Sequence, residues 1–454
     1  MTDDASDDVG ADVGLLSPIW AGTPVALTTS DRSIVGAMLD VELALVAAIA
    51  PVPVVEIVRS VRQGTRFDVA DIAVRARGGG NPVIPLVADL RAAVAAVDAD
   101  AAGWVHRGAT SQDILDTALI LMTRRALELV LADAQAVARS LAALADRHRA
   151  TLMVARTLTQ HSVPTTFGLT VAGWLHGVVR AARRLVEARG QLPLQWGGAG
   201  GTLASYADDG LSIGTAMAHR LDLVAPIIPW QVHRAPITEI GDAITQLTDA
   251  LGKIAVDVLL LSRPEIAELR EPAAVGRGVS SAMPQKQNPV LSMLINTAAR
   301  RSPSLAAELH RSAVAVNERP DGAWHVEWPT LRELLRLAGG ATGLAAELVG
   351  GLLVREAAML ANLKLSGPLI VSERLMLEFG PLIGRTKLQQ LISVAVGDAT
   401  VDLAVSLRAE PGLAGISDER LARLLEPANY LGVADELVTR VLDDLAENGL
   451  GVQQ

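Results

Sequence analysis

Gly276-Arg277-Gly278-Val279-Ser280-Ser281-Ala282-Met283-Pro284-Gln285-Lys286-Gln287-Asn288-Pro289-Val290 reads as a loop that closes onto the start of a helix. The glycines give its first half backbone freedom at low steric cost. Pro284 and Pro289 fix φ and disfavour helix in the residue before each, so the second half is stiff. A lid that carries a hydroxyl into a site, with a cation and an amide to meet an anion, needs this combination. The loop holds groups of all three kinds, in its serine pair, its lysine and its side-chain amides. An ordinary Gly/Ser/Pro surface loop shares the composition; the joint spacing sets this one apart.

Outward from the loop, apolar residues at helical spacing predict long helices over 238–270, 290–317 and 330–360, well above the usual mean of about 11–12 residues. Runs of that length indicate a helical bundle. Upstream, Ser30-Asp31 reads as a helix cap before Ile34, Leu39, Leu43 and Val46. Further helices are expected over 54–63, 68–77, 84–97, 114–149 and 167–189. The acidic residues 1–14 are expected to be a disordered lead-in. We expect an all-α chain with domains over 15–107, 108–360 and 361–454.

Composition narrows the function. The chain has 454 residues, half of them apolar but only 3% aromatic, the Ala/Leu/Val make-up of closely packed helices. Its formal charge of −10 argues against a nucleic-acid binder, though a local cluster of basic residues suffices for a small anion. There is no cysteine, which excludes disulfides, thiolate catalysis and Cys-ligated metal. No histidine pair has metal-ligand spacing, and no Rossmann unit is present, so neither metal nor other cofactor is expected. Despite a mean hydropathy of +0.33, every apolar run is interrupted before the ~18 residues of a membrane span. The start lacks a basic signal region, so a cytoplasmic location is expected.

Three more segments carry chemistry. Thr110-Ser111-Gln112-Asp113-Ile114-Leu115-Asp116-Thr117 opens a long helix, with Ser111 or Asp113 as expected cap, and hydroxyls and amides at a helix start suit an anion. Thr159-Gln160-His161-Ser162-Val163-Pro164-Thr165-Thr166 places a histidine before a proline turn. Gln195-Trp196-Gly197-Gly198-Ala199-Gly200-Gly201-Thr202 lets backbone amides approach an anion closely. Arg300 and Arg301 lie about three turns beyond the loop, as further cations.

The loop resembles the GSSxMPxKxNP signature of the fumarase/aspartase superfamily, with Val279 where glycine is usual. Thr110–Thr117 is similar to its TSxDxxDT signature, and the His161 segment to a third. The resemblance implies a three-domain, central-bundle fold and a homotetramer with active sites shared between subunits. It makes Ser280 the proton-abstracting residue and His161 the residue at the leaving group. Thr110, Ser111, Gln195, Thr202, Lys286 and Asn288 become substrate-binding. Gly322-Ala323-Trp324-His325-Val326-Glu327-Trp328-Pro329-Thr330-Leu331 and Glu426–Gly432 resemble one branch, the bacterial 3-carboxy-cis,cis-muconate cycloisomerases of aromatic catabolism. That branch implies closure of a tricarboxylate to 4-carboxymuconolactone in the protocatechuate branch of the β-ketoadipate pathway. An adenylosuccinate-type or other substituted-succinate lyase would carry the same signatures, and an inactive structural relative is a further possibility. The complete set Ser280, Lys286, Asn288 and His161 speaks against the last.

Overall fold

The structure, a computed structural model, describes residues 15–283, 285–397 and 401–451; the expected acidic lead-in over 1–14 lies outside the described residues. The first five helices are α1 (Pro24–Thr28), α2 (Asp31–Ile49), α3 (Val52–Gly64), α4 (Val69–Gly79) and α5 (Val83–Ala95). Two of their starts follow directly from local chemistry. The Ser30 hydroxyl accepts from the Ser33 N–H at 3.2 Å, and the Asp68 carboxylate from the Asp71 N–H at 3.0 Å. Each satisfies an amide that the first helical turn leaves without a partner.

Five long helices form the centre: α6 (Ser111–Arg147), α7 (Phe167–Gly190), α9 (Ala235–Leu261), α10 (Val290–Ser312) and α11 (Ala323–Gly350), with the shorter α8 (Gly210–Leu221) beside α2. α9 packs on α7, α10 and α11, and α6 on α7 and α11. Their buried residues, such as Leu127, Leu141, Leu175, Leu247, Val258, Leu334 and Leu348, belong to one continuous core. Small side chains at Ala118, Ala138, Ala182, Ala255 and Ala341 are buried in the same core and let the helix backbones approach.

Beyond α11 come α12 (Glu356–Lys364), α13 (Ser372–Ile383), α14 (Arg385–Gly397), α15 (Leu403–Arg408), α16 (Asp418–Leu425) and α17 (Ala434–Asn448). Leu363, Val371, Phe379, Leu407 and Leu424 form a second core, which Val154 joins from outside the C-terminal stretch. α17 instead returns to α7, where Val438 enters the main core.

Three sequence expectations need correction. Residues 238–270 are not one helix: α9 ends at Leu261, because Pro264 lacks an N–H and disfavours helix at Arg263. The chain then forms β3 (Leu269–Arg270), antiparallel to β4 (Leu353–Val354). α11 starts at Ala323 rather than 330, with Pro329 inside it. The ring removes the bond to the His325 carbonyl, and one position on the Thr330 hydroxyl donates to the Val326 carbonyl at 2.7 Å. The His161 segment is a strand, β2 (Gln160–Thr166), paired antiparallel with β1 (Leu152–Thr157). Among the described residues, no helix is long and apolar enough to cross a membrane.

Candidate functional site

The start of α6 is built from the carboxylate of Asp113. Thr110, not Ser111 or Asp113, is the N-cap, and Asp113 accepts the Thr110 N–H at 3.1 Å from the third helical position. The same carboxylate accepts the amides of Gly197 at 2.9 Å and Gly198 at 3.0 Å, and the Gln195 side-chain amide at 3.3 Å. One buried group thus ties two distant candidate segments together. Burial pushes its carboxyl up to about 6, against the pull of those donors. The preceding turn is held by Glu42, buried in α2, which meets the His106 N–H at 3.0 Å and its Nδ1 at 2.6 Å.

Thr110 and Ser111 are half-buried at the helix start, and Thr202 lies exposed at the end of the glycine-rich turn. Arg319 adds a cation, donating to Thr110 Oγ1 at 2.6 Å and to the Ala199 carbonyl at 3.4 Å. The Thr110 hydroxyl, a helix N-terminus and a guanidinium converge here in a corner whose donors suit an anion. Gln195 is placed otherwise than expected of a substrate ligand. It is fully buried, its side-chain carbonyl accepts the Trp230 N–H at 3.0 Å, and its amide is taken by Asp113.

Beneath that corner lies a buried ion network. Arg234 donates to Asp116 at 2.7 and 3.1 Å and to Glu327 at 3.0 Å, and stacks over the Trp230 ring at 4.7 Å. The Trp324 indole donates to Asp116 at 2.8 Å, and the Gln112 amide at 3.1 Å. Burial raises the Glu327 carboxyl, with Arg234 opposing the shift. The stretch that resembles the cycloisomerase branch therefore spends Trp324 and Glu327 on holding α11 against α6.

The serine loop is pinned at its ends. The Asn288 N–H donates to the Gly278 carbonyl at 2.9 Å, and Val279 bridges Gln287. Gly278 has φ +68, and a Cβ there would meet the Asn288 carbonyl oxygen at 2.5 Å, so the closure requires glycine. Arg277 pairs with Glu347, and buried Glu271 accepts the Leu291 and Ser292 amides at 3.1 and 2.7 Å, anchoring the start of α10. Within the loop, Ser280 Oγ accepts the N–H of Met283 at 3.2 Å and of Ala282 at 3.4 Å. Two amides aimed at one hydroxyl oxygen favour its alkoxide. Lys286 is exposed and Asn288 half-buried.

His161 stands on β2 with Nδ1 at 2.9 Å from Ser366 Oγ, a contact that fixes the ring whichever partner holds the hydrogen. The hairpin turn is Leu158-Thr159, both residues left-handed at φ 49 and 69. Among the described residues no hydrogen bond or ion pair joins the Thr110 corner, the serine loop and His161. Arg300 and Arg301 are engaged elsewhere, with Asn296 at 3.3 Å and Glu333 at 2.7 Å. No cluster of potential metal ligands occurs among the described residues.

Residues 38–302 match the family model described as Lyase, and residues 368–441 the one described as Adenylosuccinate lyase C-terminus. The chain is 46% identical to nitrosuccinate lyase of Streptomyces davaonensis, covering 97% of each protein. It is 39% identical to 3-carboxy-cis,cis-muconate cycloisomerase of Bradyrhizobium diazoefficiens, covering 95% of this chain and 98% of that one. Its fold superimposes on the 3-carboxy-cis,cis-muconate lactonizing enzyme of Pseudomonas putida with a TM-score of 0.88 at 36% identity, over 94% of this chain and 97% of that one. The chain belongs to the fumarase/aspartase superfamily. The three-domain, long-helix-bundle fold expected from its signatures is that of this superfamily. Within this superfamily member the aspartates of Thr110–Thr117 act as internal ties, as does the buried Thr117 hydroxyl on the Gln195 backbone, while the Thr110 hydroxyl meets Arg319 at the corner. From the sequence Asp113 was read only as a possible helix cap, not as the tie between the two segments, and Arg319 was not singled out. The Thr110-x-x-Asp113 spacing, a capping-box pattern, was the readable signal for Asp113; nothing local marked Arg319.

Proposed function

We propose that the protein is a lyase that takes a proton from the carbon beside a carboxylate and expels an acidic anion from the neighbouring carbon, with nitrosuccinate as leading substrate. The observation that carries this is Ser280 Oγ facing two amide donors on a loop closed at both ends. A serine hydroxyl is a poor base in water and serves only where donors stabilise its alkoxide. As alkoxide, Ser280 removes the proton from the CH2 group. The electron pair passes into the adjacent carboxylate, giving a dianion, and returns to form the double bond as the C–N bond breaks. Nitrosuccinate becomes fumarate and nitrite, and the proton stays on Ser280 until solvent takes it. Lys286, Asn288, Thr110, Ser111 and Arg319 are the groups proposed to meet the two carboxylates. Nitrite, like a carboxylate, leaves without needing a strong acid, so His161 would orient more than protonate.

A second reading, cycloisomerisation of 3-carboxy-cis,cis-muconate, is favoured by several relatives at 34–39% identity. The Trp324–Trp328 resemblance adds little to it, since Trp324 and Glu327 are buried scaffold. Either substrate is a small di- or tricarboxylate. We also propose a homotetramer in which different copies supply the serine loop, the Thr110 corner and His161; a fully active monomer by sedimentation would overturn that. Function is tested by supplying nitrosuccinate and measuring fumarate by ultraviolet absorbance and nitrite colorimetrically. Equal amounts of both are expected. Turnover of 3-carboxymuconate with no nitrite from nitrosuccinate would transfer the assignment to the second reading.

A further inference from the structure

Beside the anchored ends of the serine loop lies a cavity of about 390 Å³, lined by Arg270, Arg277 and Arg355 together with Glu271, Gln287 and Asn288. Three arginines on one small cavity reverse the local sign in a chain of formal charge −10. Arg270 and Arg355 project from the β3–β4 pair. Arg270 lies opposite Leu353, and the Arg355 N–H donates to the Glu268 carbonyl at 2.9 Å, continuing the ladder. Arg355 is thus the diagonal neighbour of Arg270, about 7–8 Å away, a spacing that long side chains close on a small ligand.

Nearby carboxylates are already committed. Glu271 caps α10 through the Leu291 and Ser292 amides. Glu268 is buried against Arg156 at 2.6 Å and the Asn362 amide at 2.7 Å. Glu347 holds Arg277, and Glu356 faces His148 at 3.2 Å. Arg270 and Arg355 are exposed, and among the described residues their side chains have no ion-pair or hydrogen-bond partner. Two guanidinium forks without a protein acceptor, on fixed strands and over a cavity of this size, suit a planar or tetrahedral oxyanion.

We propose that this cavity binds a small oxyanion, a carboxylate or phosphate group gripped by Arg270 and Arg355, and that its occupancy ties down the serine loop. The coupling is geometric: Arg277 precedes the reactive serine, Asn288 closes the loop behind it, and both line the cavity. An anion there joins both loop ends to β3 and β4, which favours the closed loop. The site does not depend on which substrate the enzyme turns over.

Isothermal titration at low ionic strength with inorganic phosphate, and separately with succinate, tests it, since surface electrostatics are screened by salt. Saturable binding near one anion per chain is expected for at least one probe. Phosphate alone would assign a phosphate group, succinate alone a carboxylate, and both a general oxyanion site. Arg270→Ala or Arg355→Ala should weaken binding about tenfold or more, and the double variant should lose it, whereas Arg300→Ala should not change it. The bound anion should also slow tryptic cleavage after Arg277 and Lys286 in the natural protein but not in the double variant. An unchanged melting temperature would show that the variants remain folded. No saturable binding of either anion, or binding whose stoichiometry and affinity the double variant leaves unchanged for both anions, overturns the proposal, while succinate binding that only Lys286→Ala removes belongs to the substrate site.

Discussion

Asp113→Asn puts the balance of forces at the start of α6 to a direct test. The carboxylate accepts four N–H groups, which favour its charged form, but it is fully buried, which opposes that form. With burial winning, the carboxyl moves from 3.8 to about 6, and its ionisation in the folded state costs about 3 kcal/mol at neutral pH. The sign follows from proton counting. Between roughly pH 4 and 6 the folded state holds more protons than the unfolded one, so this group's contribution to stability falls as pH rises through that window. Asparagine cannot ionise, so the variant escapes the loss. Its stability relative to the natural protein should therefore rise by about 2 kcal/mol from pH 4 to pH 7, whatever constant offset its changed hydrogen bonds introduce. Urea unfolding of both proteins across that range, followed by tryptophan fluorescence at one fixed concentration, reads the difference. Amide exchange at Gly197 and Gly198 gives a local check. A difference that is flat with pH, or that moves the other way, would show that the four donors outweigh burial.

Ser280→Ala should reduce turnover by at least about 10²–10⁴-fold with the fold retained, since it removes the group proposed to exchange a proton with carbon, while His161→Asn should cost less; equal large losses in kcat would instead mean that the leaving group needs an acid. Gly278→Ala should prevent loop closure, because alanine is strained at φ +68 and its Cβ meets the Asn288 oxygen at 2.5 Å. Strain of about 1–3 kcal/mol should lower kcat with little change in melting temperature, and unaltered kinetics would show the loop works unclosed. Arg234→Met leaves Asp116 and Glu327 buried together without their cation, and should destabilise by about 3–5 kcal/mol in denaturant unfolding.

Most helices were legible because their signals are local. Ser30 and Asp68 stand one residue before their helices, and apolar spacing carried α2, α7 and α10 to nearly the expected starts. The β1–β2 hairpin was not legible. Two-residue hairpin turns are marked by Asn-Gly or similar pairs that accept positive φ, and this one uses Leu158-Thr159. The preference of those residues was overridden by the pairing on either side. The start of α11 was misread for a related reason: Pro329 is a strong local stop, yet the Trp324 and Glu327 contacts to Asp116 and Arg234 hold the turn before it helical.

Those same contacts bear on how far a motif can carry a function. Trp324 and Glu327 lie in the stretch that resembles one branch of the superfamily, yet both are buried, against Asp116 of α6 and against Arg234 just before α9. A substitution there is felt as a broken ion network under the Thr110 corner before it is felt by any substrate. Residues so constrained report the scaffold rather than the substrate. The exposed positions behave oppositely. Thr202 and Lys286 are exposed and can be exchanged without disturbing a core. Differences in substrate between the nitrosuccinate lyase and cycloisomerase relatives must therefore be sought at such positions, and exchanging them between the two relatives tests the point more sharply than altering the tryptophans.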